Sequence, residues 1–401
     1  MGLGRRVVLA AAVAATASAA GAQTGQKVTG PVAVYWMSAQ TQTGFGMPGM
    51  GAGGGGKPDA RAIMRAMMGG GGANKSLTLQ LGSSQTAAAP AADHLPPQGL
   101  GAGADLPLVT PRAAPRPEPQ EGEIPRDFQK PRGKLLIFWG CGQHAGPNQP
   151  VVIDFAKMAE GKLPAGMAAF KGLDYRPMHP PSPGRNRTYG EWPNEKTRTT
   201  VPSEGSLVGD HTVRGNYSPE IHFSLAEDQD FLAPLTLTTN QKAAGGWADL
   251  GWNLVPNARA YYATAMGGDG ETMAMWTSSE TQAAAFAMPD YLSPSDLTRL
   301  VAAKALMGPA TRACAVPKEF LDAAPQAITQ LVAYGGEANF VYPPRPKDPK
   351  VAWNQQWAVK VRYRSATGGL LGMEMPGFGG EEAQPERGGR RGRQTPPPRQ
   401  E

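Results

Sequence analysis

Two cysteines, five histidines and an uneven scatter of methionines are the residues of this chain with nucleophilic or metal-binding potential. Cys141 and His144 lie close together in the run Trp139-Gly140-Cys141-Gly142-Gln143-His144. At that spacing an imidazole can take the thiol proton and leave a nucleophilic thiolate, which is the chemistry of a Cys/His hydrolase. No third group that would orient the imidazole is identifiable, so this hydrolase stands as an alternative only. The other use of Cys141 is a disulfide with Cys314. An even pair of cysteines in an oxidising compartment is expected to form one bridge, here tying the N-terminal half of the chain to the C-terminal half.

Met47, Met50, Met64, Met67 and Met68 cluster in a glycine-rich stretch, and Met373 and Met375 recur near the end. Thioether sulfur is a soft ligand that needs no deprotonation, so the cluster is a candidate copper site, Cu(I) being the matching ion. The other reading is methionine accumulating in a low-complexity loop. The histidines show no metal-ligand spacing. His222 shares a strand face with Glu220, and Asp210 precedes His211, patterns that suit hydrogen-bonded structural histidines. Gly44-Phe45-Gly46-Met47-Pro48-Gly49 matches a dinucleotide-binding string by letters alone. No helix opens after it, and Pro48 removes an amide that the phosphates would need.

The elements that must position these residues begin with an address. Arg5 and Arg6 precede a short alanine-rich apolar run, and Ala20-Gly21-Ala22 offers a small-x-small cleavage site, so residues 1–22 read as a signal peptide. The run is too short to span a bilayer, and no transmembrane segment is expected after cleavage. The expected location is periplasmic or secreted. The formal charge of +6 falls to +4 when Arg5 and Arg6 leave, a mild surplus that argues against a nucleic-acid partner. The 52 glycines and 39 prolines gather in a few stretches, leaving the remaining chain with core-forming composition.

Period-two alternation dominates the rest. Val32 to Met37, Leu77-Leu79-Leu81, Lys134 to Trp139, Val151 to Phe155 and Ile221-Phe223-Leu225 read as strands. Residues 44–74 and 86–132 read as flexible insertions, the second because alanine, proline and glycine bury little apolar surface. Residues 175–202 read as an irregular excursion; Trp192 within it suits a buried role or contact with a sugar. Later, Leu250-Trp252-Leu254, Ala260 to Met266 and Met273 to Trp276 continue the strand pattern. Ser293 and Pro294 start a helix expected over 294–307. Trp357, Val359, Val361 and Tyr363 face one way and Lys360, Arg362 and Arg364 the other. That basic stripe suits a solvated or edge face, or the binding of anionic envelope polymers. Residues 376–401 read as a disordered basic tail.

The phrase Trp252-Asn253-Leu254-Val255-Pro256-Asn257-Ala258-Arg259-Ala260-Tyr261 resembles the second and third strands of fibronectin type III domains, which place a core tryptophan before a proline turn and a core tyrosine. The resemblance spans about thirty residues and implies a β-sandwich; the added helix departs from it. The expected architecture is mainly β, with two sandwich-like units at 31–239 and 240–370. The expected role is non-catalytic binding or scaffolding in the envelope, with an envelope protein or polysaccharide as partner and no cofactor. The copper-binding protein and the Cys/His hydrolase are its two alternatives.

Overall fold

Strands form wherever β-branched, aromatic or leucine residues alternate with polar ones, because successive side chains leave opposite faces of the ribbon. A computed structural model describes residues 26–44, 72–112, 133–159, 176, 178–197, 199–269, 271–282 and 288–373. In chain order the strands are β1 (Val28–Thr29), β2 (Ala33–Gln42), β3 (Asn74–Ser83), β4 (Ala92–Leu95), β5 (Leu106–Pro107) and β6 (Lys134–Trp139). They continue with β7 (Val151–Asp154), β8 (Thr188–Trp192), β9 (Gly209–Gly215), β10 (Ile221–Leu225), β11 (Leu237–Lys242) and β12 (Ala248–Trp252). The last are β13 (Ala260–Gly268), β14 (Thr272–Thr277), β15 (Ala313–Val316), β16 (Ile328–Tyr342), β17 (Trp353–Asn354) and β18 (Trp357–Leu370). The protein is mainly β, as its pattern predicts.

A nine-stranded sheet in the order β7-β6-β14-β13-β16-β18-β2-β3-β8 organises the molecule. One face carries Tyr35, Met37, Leu77, Leu79, Val359 and Val361, which share a core with Val213, Ile221 and Phe223 of the β10-β9-β4-β5 sheet. The same core takes in Leu250, Trp252 and Val316 of the β11-β12-β15 sheet. Each such side chain contributes roughly 1.5–3 kcal/mol on burial. Against the other face, Tyr262, Val332 and Tyr334 pack with Leu297 and Leu300 of the Pro294–Ala302 helix. That helix starts where Ser293 accepts a hydrogen bond from the Asp296 amide at 3.1 Å, as expected of a serine cap. It stops at Ala302, short of the expected residue 307, and Lys304 follows with φ 56.

Three expectations need correction. The 86–132 stretch is not uniformly flexible: its described part, to residue 112, supplies β4, β5 and the buried Leu100, Leu106 and Leu108. A low-hydropathy segment docks here because a few leucines meet a preformed apolar surface, which composition averages conceal. The excursion at 175–202 contains β8, an edge strand paired with β3. The stretches 31–239 and 240–370 do not divide the sheets between them. The nine-stranded sheet takes β2, β3, β6, β7 and β8 from the first and β13, β14, β16 and β18 from the second. Two of its pairings, β18 with β2 and β14 with β6, are parallel and join residues far apart in sequence.

β16 changes face along its length. Leu331 and Ala333 belong to the main core, while Val332 and Tyr334 join the helix cluster. A register shift between Tyr334 and Glu337 sets Gly335 and Gly336 together opposite Tyr363, one extra residue, after which Ala338 faces the main core. The bulge inverts the alternation and turns Glu337 to the helix side. Glycine is required at 335, where a Cβ would meet Tyr363 Cβ at 2.8 Å and its carbonyl oxygen at 2.9 Å.

Candidate functional site

The polar face of β18 meets that of β2 in parallel register, Lys360 beside Trp36, Arg362 beside Ser38 and Arg364 beside Gln40. Arg362 lies over the Trp36 ring at 4.9 Å and the Tyr291 ring at 4.3 Å, and its Nε–H donates to Ser38 Oγ at 2.7 Å. Arg364 pairs with Asp290 and donates from Nε and Nη2 to Gln40 Oε1 at 2.9 and 2.6 Å. Lys360 pairs with Glu337 and lies 5.6 Å from the Trp36 ring centre. The expected solvated or edge stripe is therefore a structural ladder. β18 is an interior strand, and the side chains of Lys360 and Arg364 are only 22 % and 11 % exposed. Burial pulls the Arg362 pKa down, opposed by Tyr291, Glu337 and Asp290. An interior strand carries such residues at tolerable cost because aromatic faces and carboxylates replace the lost water.

Next to this ladder, between the Pro294–Ala302 helix and the β16 bulge, lies a half-open groove of about 540 Å³. Pro294, Leu297, Val301 and Pro309 give it an aliphatic wall, and Arg259 and Glu337 give it charge. Thr298 of the helix also lines it. Glu337 arrives there through the bulge, and Arg259 through the turn at Pro256-Asn257, where Asn257 adopts φ 64. The Glu337 side chain is 3 % exposed; Oε2 takes the Lys360 pair, while Oε1 is buried with no hydrogen-bond partner among the described residues. Arg259 is exposed and has no ion-pair partner among the described residues. Sequence reading missed both. The Gly335-Gly336 doublet inside a strand pattern is the one signal that pointed to a bulge beside Glu337.

A second polar assembly lies inside the main core. Tyr35 Oη is 2.8 Å from His94 Nδ1, His94 Nε2 is 3.2 Å from His211 Nδ1, and His211 Nε2 is 2.7 Å from the Leu207 carbonyl. A carbonyl only accepts, so His211 carries its proton on Nε2 and accepts on Nδ1. His94 then donates from Nε2 and accepts on Nδ1 from the tyrosine hydroxyl. Every proton in the row is thereby assigned, with both rings neutral. Burial lowers the His94 pKa well below the usual imidazole value, and His211 adds to that effect. Burial lowers His211 as well, partly offset by its bond to Leu207 and by Asp210. Phe223 stacks on His211 at 4.9 Å. The row is enclosed, with Tyr35 and His94 fully buried, and it serves to fix the core.

The remaining candidates fall as follows. Cys141 and Cys314 form a disulfide, with Cα atoms 5.1 Å apart across a separation of 173 residues. That bond removes the Cys141 thiol from the alternative hydrolase, and His144 turns to Glu319 at 3.0 Å. His222 pairs with Glu220 at 3.2 Å on the surface, and Trp192 is buried at 1 % exposure. Met47, Met50, Met64, Met67 and Met68, residues 1–22 and residues 376–401 lie outside the described residues. So does Met375, while Met373 is exposed and its carbonyl accepts from Asn240. Trp252 and Tyr261 meet as a tilted pair 5.6 Å apart, joining the three-stranded sheet to the nine-stranded one. No protein-family model matches the chain, and no curated protein or solved structure does.

Proposed function

We propose that this is an exported, non-catalytic binding protein of the bacterial envelope whose ligand site is the groove between the Pro294–Ala302 helix and the β16 bulge. The observation that carries this reading is the groove itself. Its size is that of a small-molecule site, and an aliphatic wall converges with two charged groups, Arg259 and Glu337. Export is supported by the signal pattern of residues 1–22 and by the Cys141–Cys314 disulfide, a bond that persists in oxidising compartments. The paired ladder of β18 is the rigid support that keeps Glu337 in place.

Two measurements test the proposal. Mass spectrometry of the protein in a periplasmic extract should show Gln23 as the first residue; a cytosolic protein retaining residues 1–22 would refute export. The anionic apolar dye 8-anilinonaphthalene-1-sulfonate should bind the native protein saturably. Thr298→Trp, on the exposed side of the helix, should block that binding at unchanged melting temperature. Dye binding that ignores Thr298→Trp would place the ligand site elsewhere.

A further inference from the structure

We infer that the groove takes the free C-terminus of a peptide ending in an aliphatic residue; this rests on the groove being the ligand site. Three features select that chemistry. First, among the described residues the groove and its ladder hold four cations, Arg259, Lys360, Arg362 and Arg364, against two carboxylates, Glu337 and Asp290, so the surroundings favour an anion. Among the described residues Arg259 is the groove cation without an ion pair, and a guanidinium matches a carboxylate in bidentate fashion.

Second, Glu337 Oε1 is buried and lacks a donor among the described residues. Buried acceptors are almost always satisfied, and Lys360 already neutralises this carboxylate, so the missing partner is a neutral N–H or O–H rather than a second cation. Third, Leu297, Val301, Pro294 and Pro309 offer a wall with no aromatic ring among the described residues, suited to an aliphatic side chain more than to a sugar face. A terminal residue supplies all three at once: its carboxylate for Arg259, its backbone N–H for Glu337, and its side chain for the wall.

The test uses the full-length oxidised protein loaded with 8-anilinonaphthalene-1-sulfonate, with N-acetyl-Ala-Leu, its C-terminal amide and galacturonic acid as competitors. The free acid should displace the dye, and the amide should be weaker by roughly tenfold or more, since it loses a charge-assisted pair. Arg259→Gln should remove the difference between acid and amide while leaving the melting temperature unchanged, because Arg259 is exposed. Equal competition by acid and amide overturns the inference, as does displacement by galacturonic acid with none by the peptide; in both cases the groove remains the ligand site. If the dye does not bind, or its binding ignores Thr298→Trp, the site itself fails, and the inference with it.

Discussion

Replacing Tyr35 with phenylalanine removes one oxygen from the centre of the main core and tests the proton assignment of the buried row. The ring stays, so packing against Phe223 at 6.4 Å is preserved and no cavity larger than a hydroxyl opens. What is lost is the donor to His94 Nδ1, 2.8 Å away in a fully buried place where water does not replace it. A buried acceptor stripped of its partner costs about 1–3 kcal/mol, and that is the expected drop in unfolding free energy for Tyr35→Phe. Urea unfolding followed by tryptophan fluorescence measures it. Nitrogen-15 spectra of the wild-type rings should show Nε2–H on both His94 and His211. An Nδ1–H tautomer on either ring, or a loss under about 0.5 kcal/mol in the variant, would refute the reasoning.

The same row sets a pH dependence. Both folded-state values are lowered, so below the unfolded histidine value of about 6.5 the unfolded chain binds protons that the folded one refuses. Stability is therefore complete above about pH 6.5 and declines as pH falls toward the folded values. The steepest contribution of the two rings together is about 2.7 kcal/mol per pH unit, which urea titrations at a series of pH values would read. Cys141→Ser with Cys314→Ser should lower stability by up to about 5 kcal/mol, the loop-closure value for a separation of 173 residues. Intact mass after alkylation without reductant should be unchanged, since both thiols are oxidised. Ser293→Ala removes the cap of the Pro294–Ala302 helix and should cost about 0.5–2 kcal/mol in the same unfolding assay. Gly335→Ala should destabilise by more than the few tenths expected of a surface substitution, because its Cβ meets the backbone and Cβ of Tyr363. Full-length protein titrated with Cu(I) against a competing chelator should show uptake that depends on Met47, Met50, Met64, Met67 and Met68 if the copper alternative holds; uptake independent of them ends it.

Much of the strand content was legible because alternation is a local signal. The inward set of β2, β3, β10 and β18 follows from reading every second residue, and so does the Ser293-Pro294 helix start. β8 and the β4 to β5 stretch were missed. Proline and glycine crowd both segments, and their apolar residues are few, so only a surface supplied from elsewhere in the chain makes them strands. The basic stripe on β18 was visible as a pattern, but its meaning depended on neighbours at Trp36, Asp290 and Glu337 that no spacing rule connects.

Residue order and type alone determined that the chain is mainly β, that two cysteines were available to pair, and that Lys360, Arg362 and Arg364 share one face of a strand, since each depends on composition or on a short repeat. Tertiary structure decided the rest. It placed β18 inside a sheet instead of at its edge, brought Cys141 to Cys314, and lined His94 up with His211 and Tyr35. It also set Arg259 and Glu337 in one groove. The physical reason is the same in each case: pairing across long separations is chosen by which apolar faces bury one another, and that choice belongs to the whole chain at once.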